Sequence, residues 1–549
     1  MKNEVENKKL KLPIGIQTFE EIRTEGYVYV DKTNYFVEMI DNGKIYFLAR
    51  PRRFGKSLTI STFDALFSGK KELFKGLYAE EFLNRPGFKP SPVIRLDMSM
   101  VTTYMGIENM EESIRIQTRE IAEKLHIKLS DTKLSGDLFR ELITKTAGKY
   151  GQKVVILLDE YDKPYTDFVN DPDMAEKVRN ILRSYYVQIK ANDEYIRFTF
   201  ITGISKFARF GVFSALNSPK DISTTPKYAE ICGYTEEEII RYFPAYFDET
   251  ANSMQISTLE LIEKMCYYYN GFTFDDNAEA RLYNPYSTLL FFSKKKFLNF
   301  WVHSGRSKMI ADYMKHRNLT VEQFRNFPVS NDFIENPGDM DSTPPEGFLY
   351  QSGYLTLRKG TIKDLSLDYP NTEVLNSMSE LVTQNMLQYR DESYNLCQTD
   401  LLKGLITKDA EKVIAAFNRL LASIPYDDYS AAAKQNISHH DYDMKPQEWL
   451  YRTSILSFLQ GCGVVETDNY PSLQEMHTNR GRPNLVIAYR GNVWIIEIKV
   501  AREGENAEQK AEEACRQIIE KNYATPYPDA VCLGLGIDDM TRQIGGFRG

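Results

Sequence analysis

Of 549 residues only six are cysteine, and no two of them form a CxxC pair or take zinc-site spacing. Cys232, Cys266, Cys397, Cys462, Cys515 and Cys532 are scattered. That excludes a disulfide framework or a zinc ribbon, and it predicts free, mostly buried thiols in a reducing cytosol. Long apolar runs are also missing. No stretch approaches the ~20 residues that span a bilayer, so no membrane partner is expected. The N-terminal Met-Lys-Asn-Glu-Val-Glu-Asn-Lys-Lys is charged and lacks the apolar region of a signal peptide, which makes a cytoplasmic location the expectation. Positive charge is not in excess: 68 Lys and Arg stand against 76 Asp and Glu, a net of −8. Overall charge therefore cannot hold nucleic acid, and such binding would need a local basic groove. A hydrophobic content of 42% and a charged content of 26% are those of a soluble globular chain. The length allows roughly two to four domains.

What is present is organised around residues 45–61. The apolar run Ile45 to Ala49 reads as a buried strand, followed by a turn with Arg50, Pro51 and Gly55, and by Lys56-Ser57 opening a helix. Strand, loop, Gly-Lys-Ser and helix is the context of a phosphate-binding P-loop. Backbone N–H groups from Arg53, Phe54, Gly55, Lys56, Ser57 and Leu58 would converge on phosphate oxygens. Lys56 would reach the outer phosphates of ATP, and the Ser57 hydroxyl would ligate Mg²⁺. The usual pattern is GxxxxGK(S/T), and here Arg50 stands at the first glycine. The bland reading of Gly-Lys-Ser alone is an ordinary helix start.

A second motif argues against that reading. Val154 to Leu158 are five consecutive aliphatic residues, as in a central parallel strand buried on both faces. Asp159 and Glu160 follow at the C-terminal end, where open α/β sheets place ligands. Asp159 is expected to hold Mg²⁺, and Glu160 to orient or deprotonate the attacking water. Further strands are expected at Ile94 to Leu96, ending in Asp97, and at Phe198 to Gly203. Helical patterns fill 107–126, 132–149 and 173–190. The alternation predicts a parallel, helix-covered sheet. Thr202 and Ser205 offer hydroxyls to sense the γ-phosphate, and Arg209 lies just beyond.

Arg50-Pro51-Arg52-Arg53-Phe54-Gly55-Lys56-Ser57 resembles the P-loop of the bacterial AAA-ATPase-like family that carries a C-terminal PD-(D/E)XK nuclease-like domain. Tyr29-Val30-Asp31-Lys32-Thr33, Thr202-Gly203-Ile204-Ser205-Lys206-Phe207, Tyr269-Asn270-Gly271-Phe272, Tyr283-Asn284-Pro285-Tyr286-Ser287, Gln351-Ser352-Gly353-Tyr354-Leu355 and Tyr369-Pro370-Asn371 are similar to that family in the same order. The resemblance runs from about residue 13 to 525. It implies that the missing glycine is a family trait.

The expected organisation is α/β throughout. A P-loop domain spans 13–225, a helical lid, with a winged helix as one form open to it, spans 226–375, and a helical connector spans 376–440. The Tyr-Asn-Gly-Phe and Tyr-Asn-Pro-Tyr-Ser motifs read as packing and turn signals rather than nucleotide contacts. An α/β PD-(D/E)XK nuclease-like domain spans 441–545. In it a helix starts at Glu448, Gly481-Arg482-Pro483-Asn484 turns into a strand, Gly491-Asn492 makes a hairpin turn, and Val493 to Lys499 returns. A helix over 505–523 carries Gln517.

Strand alternation puts Glu497 and Lys499 on one face. Glu497 and an acid on the neighbouring strand would bind Mg²⁺ and activate water, Lys499 would assist, and Glu448 would complete the metal shell. The expected aspartate is Asn484. Its amide oxygen is a candidate ligand, but it lacks the charge that holds a hard cation. Either the domain is a weak or inactive binder, or an Asp→Asn change has been introduced.

Two functions stay open. One is an ATP-driven switch controlling a metal-dependent nuclease that acts on DNA more than RNA, for which the resemblance implies defence or mobile-element processing. The other is an ATP-gated module whose nuclease fold only grips nucleic acid or a partner protein. A second copy of the chain is a partner if Arg209 completes a neighbour's site.

Overall fold

The structure is a computed structural model that describes residues 9–103, 106–168, 171–204, 206, 219–301, 310, 321–330, 333, 344–360, 364–386, 391–422, 446–464 and 483–549. Ser205, Arg209, Glu475 and the Gly481-Arg482 turn lie outside the described residues. The chain divides into two compact units. One comprises Met1–Trp301 with Asn326–Asn371, the other Val302–Arg325 with Thr372–Gly549.

The first unit is built on a five-stranded sheet. β1 (Ile45–Ala49), β2 (Val93–Asp97), β3 (Val154–Asp159), β4 (Ile196–Gly203) and β5 (Lys220–Asp221) take the order β2-β3-β4-β1-β5, with every pairing parallel. All six residues of β3 are buried, as expected for a parallel strand covered on both faces. The β5 edge, two residues long, has no sequence signal of its own.

The register decides the site. Leu48 pairs with Thr202, Leu158 with Ile201, and Asp97 with Asp159. The loop after β1, the two aspartates and Thr202 therefore share the C-terminal edge of one sheet. Helix α1 (Lys56–Phe67) leaves that edge from Gly55, which takes a left-handed φ of 100° and supplies no side-chain cap. Its first N–H groups are left for a ligand. Helices α2 (Ile107–Lys124), α3 (Ser135–Tyr150) and α4 (Pro172–Ala191) match the expected patterns within three residues at each end. The same unit contains an antiparallel sheet of β6 (Phe327–Val329), β7 (Thr356–Lys359) and β8 (Leu365–Asp368), ordered β6-β8-β7.

In the second unit β9 (Leu485–Tyr489), β10 (Asn492–Ala501), β11 (Val531–Asp538) and β12 (Gln543–Arg548) form a sheet ordered β12-β11-β10-β9. The β10–β11 pair is parallel and the outer pairs are antiparallel. The hairpin turn falls one residue earlier than expected. Arg490 and Gly491 take φ of 46° and 83°, while Asn492 already pairs with Tyr489. Two consecutive positive φ values are what a tight hairpin needs to match strand twist. Asn492 instead uses its side-chain amide to donate to the carbonyls of Leu405 and Ile406.

Trp494, Ile496, Ile498 and Val500 face a core shared with Leu401, Leu405, Phe417 and Leu420. The helices of the segment expected as a connector, α5 (Asp391–Thr407) and α6 (Ala410–Ala422), therefore pack on the sheet itself. The opposite face carries Val493 and Ile495 against Ile518 and Tyr523, around helix α8 (Ala507–Glu520). Helix α7 (Pro446–Gly461) contributes Tyr451, Ile455 and Leu459 to the first core. Helix α8 lies so close to β11 that a Cβ on Gly536 would sit 1.8 Å from the Ala507 carbonyl oxygen, which only glycine permits.

Candidate active sites

The loop from Arg50 to Gly55 is shaped by residues outside it. Arg50 is 1% exposed. Its guanidinium donates to the carbonyls of Ala49, Ser223, Tyr228 and Ala229 at 2.9, 2.6, 3.1 and 3.3 Å. It also stacks on Phe274 at 4.3 Å. Burial alone pushes its basicity down to about 10, and it remains a cation. Where the usual pattern has glycine for flexibility, this chain has a strut that ties the end of β1 to the segment after β5.

The rest of the loop is gripped similarly. Trp301 Nε1 and Asn284 Nδ2 donate to Arg52 O at 3.2 and 3.5 Å. Phe54 is buried edge-on against Phe272 and Phe274, and Arg53 lies over the Tyr286 ring at 4.7 Å. A Cβ on Gly353 would come within 2.6 Å of Pro51. Gly271 approaches the Pro370 carbonyl as closely, at 2.2 Å for its Cβ position. The family-like motifs at 269–272, 283–287, 351–355 and 369–371 thus pack on the loop or on one another. Arg53 and Phe54 offer a ligand their backbone, since their side chains point into these neighbours. Leu58 lies in the first turn of α1.

At the mouth of the loop Lys56 Nζ donates to Arg50 O and Pro51 O at 3.1 and 3.2 Å, and it lies 3.7 Å from Glu160 Oε1. Asp159 is 2% exposed, takes a hydrogen bond from the Ser57 side chain, and accepts the Glu160 N–H at 3.0 Å. Burial raises its carboxyl to about 6; Ser57 and Lys56 oppose the rise, while Glu160 and Asp97 add to it. Glu160 holds a left-handed φ of 51°, a strained state for a residue with a side chain and one common at functional sites. The strain turns the chain so that the Tyr161 N–H reaches Thr202 O at 3.1 Å. Thr202 is fully buried, and its hydroxyl has no partner among the described residues.

These groups fit a nucleotide with its cation. Lys56 and the α1 N-terminus suit phosphate oxygens, while Ser57 and Asp159 suit a Mg²⁺ that takes its other ligands from phosphates and water. Asp97 also stands at this edge, where its side chain accepts the Ser99 N–H and hydroxyl at 2.9 and 2.6 Å. Its register with Asp159 was not legible in the sequence; only its place at a strand end was.

The second centre lies in the nuclease-like unit. Leu485 pairs with Ile496, which sets Asn484 opposite Glu497. Glu497 is 1% exposed. Its Oε2 accepts the Asn484 N–H at 3.0 Å, and its Oε1 accepts Gln517 Nε2 at 2.6 Å with Lys499 Nζ at 3.6 Å. Burial raises its carboxyl to about 7, against the Asn484 N–H and Lys499 and with help from Glu448. Glu448 stands on α7, 9% exposed. Glu448, Asn484, Glu497 and Lys499 are thus brought to one place, as expected.

The donor set does not fit a divalent cation. Asn484 Oδ1 accepts the Ile498 N–H at 2.5 Å. A backbone donor there demands an acceptor, so the amide nitrogen must face the other way. An aspartate could spend one oxygen on Ile498 and keep the other for metal. Asparagine keeps one lone pair on an uncharged oxygen, and its NH₂ has none to offer. The bond leaves the Asn484 carbonyl one lone pair but no charge with which to hold a hard cation. Among the described residues no three His, Cys, Asp or Glu side chains group closely enough to hold a metal ion. Sequence reading also passed over Arg452, whose Nε donates to Asn484 O at 2.8 Å.

Among the described residues no helix is long and apolar enough to cross a membrane. A family model for predicted AAA-ATPases matches residues 13–213, and one for the PD-(D/E)XK nuclease superfamily matches residues 447–545. The chain is 30% identical over 548 residues, 98% of each chain, to the "Uncharacterized protein in vnfD 5'region" of Azotobacter chroococcum mcd 1. Among solved structures it is similar to Cdc6p from Pyrobaculum aerophilum at 9% identity, over 67% of this chain and 97% of that one. The TM-score of 0.25 is too low for that likeness to carry an argument.

Proposed function

Because the chain belongs to the family of predicted AAA-ATPases joined to a PD-(D/E)XK nuclease-superfamily domain, we propose that it is an ATP-hydrolysing switch whose nuclease fold holds nucleic acid without cutting it. In the first unit Lys56 and the N-terminus of α1 bind the phosphates of ATP, and Ser57 with Asp159 holds Mg²⁺. Glu160 orients the attacking water, and Thr202 presents its hydroxyl to the γ-phosphate. Support comes from the convergence of these groups on one sheet edge, with strain stored at Glu160.

The observation that carries the non-cutting reading is that the residue set against Glu497 is Asn484, whose Oδ1 accepts the Ile498 N–H. An uncharged amide stands where the acid expected to share a cation with Glu497 would be. DNA is the expected nucleic acid, and defence or mobile-element processing the setting.

The test is a cleavage assay on DNA and RNA with Mg²⁺, with and without ATP. The chain should hydrolyse ATP and bind DNA while leaving every substrate intact. Robust cleavage would return the reading to an ATP-controlled metal-dependent nuclease, for which Glu497, Lys499 and Gln517 are already in place.

A further inference from the structure

We infer that the centre of the nuclease fold has become a metal-independent phosphate site, with Arg452, Lys499 and the Asn484 amide nitrogen as its donors. The inference rests on the non-cutting reading above. Arg452 is 5% exposed, and Nε is spent on Asn484 O. Among the described residues its guanidinium makes no ion pair and no other hydrogen bond. Its terminal N–H groups are not sealed from solvent, so they are open to an anion, and the low exposure of the side chain strengthens its attraction for one. Its fork matches two oxygens of a phosphate, as a lysine would not.

The oxygens of Glu497 and Asn484 each already take a donor from the protein, that of Asn484 from Ile498. What remains for a ligand is the Asn484 NH₂, the Arg452 guanidinium and Lys499, whose side chain keeps 25% of its surface in solvent. Glu448, one helical turn before Arg452 on α7, is the acid that opposes an anion there. An aspartate at 484 would have placed a second free carboxylate beside it. Asparagine removes that charge and adds two N–H donors, which converts a place for a cation into one for an oxyanion. The ligand class is a phosphate group held directly, with no cation between.

The experiment measures binding to the full-length chain in EDTA with two probes, a fluorescently labelled DNA oligonucleotide and inorganic phosphate. Arg452→Gln, Lys499→Gln and Asn484→Asp are compared with the parent, and each variant is checked for fold by thermal unfolding. Lys499→Gln covers the case in which Arg452→Gln fails to fold, since Lys499 anchors no backbone. All three changes should weaken both probes about tenfold, and Mg²⁺ should restore DNA binding to Asn484→Asp alone. Phosphate binding lost in the variants without any DNA binding by the parent would uphold the site and end its nucleic-acid reading. DNA binding indifferent to all three changes would overturn the site and leave that reading standing. If the parent binds neither probe, both fall.

Discussion

Lys56 Nζ lies 3.7 Å from Glu160 Oε1, so the cation proposed to bind phosphate and the carboxylate proposed to orient water are paired with each other at the sheet edge. Lys56→Ala should abolish MgATP binding in a nucleotide titration, because no neighbour supplies a point charge there. Glu160→Gln should bind ATP while phosphate release falls by about a hundredfold or more. Turnover at the parent rate in Glu160→Gln would move the water-orienting role to another residue, with Asp162 next in line.

Arg50 offers a test of the missing glycine. Removing its side chain strands the buried carbonyls of Ser223, Tyr228 and Ala229. Arg50→Ala should destabilise the protein by about 3 kcal/mol or more in urea unfolding, since each orphaned acceptor costs on the order of 1 kcal/mol. Arg50→Gly restores the usual pattern and should be no better. Arg50→Lys should recover only part of the loss, because one ammonium cannot span those carbonyls.

Asp159 gives the pH dependence. Its carboxyl is raised to about 6 from 3.8, chiefly by burial. The folded state thus takes up a proton that the unfolded state has lost between those two values. The contribution of this group to stability is fully present below about pH 4 and is lost as pH rises through 6. Asp159→Asn can still accept the Glu160 N–H and face the Ser57 hydroxyl. It should stabilise the nucleotide-free protein by ~2 kcal/mol at pH 8, with the gain vanishing near pH 4. The same variant should lose Mg²⁺-dependent ATP binding. Equal melting temperatures for parent and variant across that range would show that the carboxylate is not held at a disadvantage.

In the second unit Gly536 is the tightest contact, with the Ala507 carbonyl in the place of a Cβ. Gly536→Ala must push α8 off β11 and should cost about 3 kcal/mol by overpacking. Limited proteolysis should then cut the second unit faster, with the first unit's MgATP binding kept. An unaltered proteolysis rate would mean that the helix has room to move.

Two metal-site substitutions separate cutting from gripping. Asn484→Asp returns a free carboxylate oxygen beside Glu497 and should create Mg²⁺-dependent cleavage, read on a gel. Glu497→Ala added to it should remove that cleavage. An inert Asn484→Asp would show that more than this one acid stands between the fold and catalysis.

The chemistry of the first site was legible because it is local. Gly55-Lys56-Ser57 follows a strand and Asp159-Glu160 ends one, so spacing alone placed both motifs at the sheet edge. Glu497 and Lys499 were legible for the same reason, through period-two alternation. The turn at Arg490-Gly491 was misplaced by one residue, since an arginine with positive φ gives no signal beside Gly491-Asn492. Strands β11 and β12 were not anticipated. Their glycines interrupt the apolar pattern and make sense only against α8.

The sequence by itself determined the secondary structure of the P-loop core, the identity of its ionisable groups and the presence of an E-x-K strand, because neighbours along the chain decide these. Tertiary structure alone decided that Arg50 is a strut, since its acceptors at Ser223, Tyr228 and Ala229 lie 173 to 179 residues away. It alone gave the Asn484 oxygen a backbone donor, because that donor comes from the neighbouring strand 14 residues on. A side chain's hydrogen-bonding capacity is finite, and which part is left for a ligand depends on what the fold has already consumed.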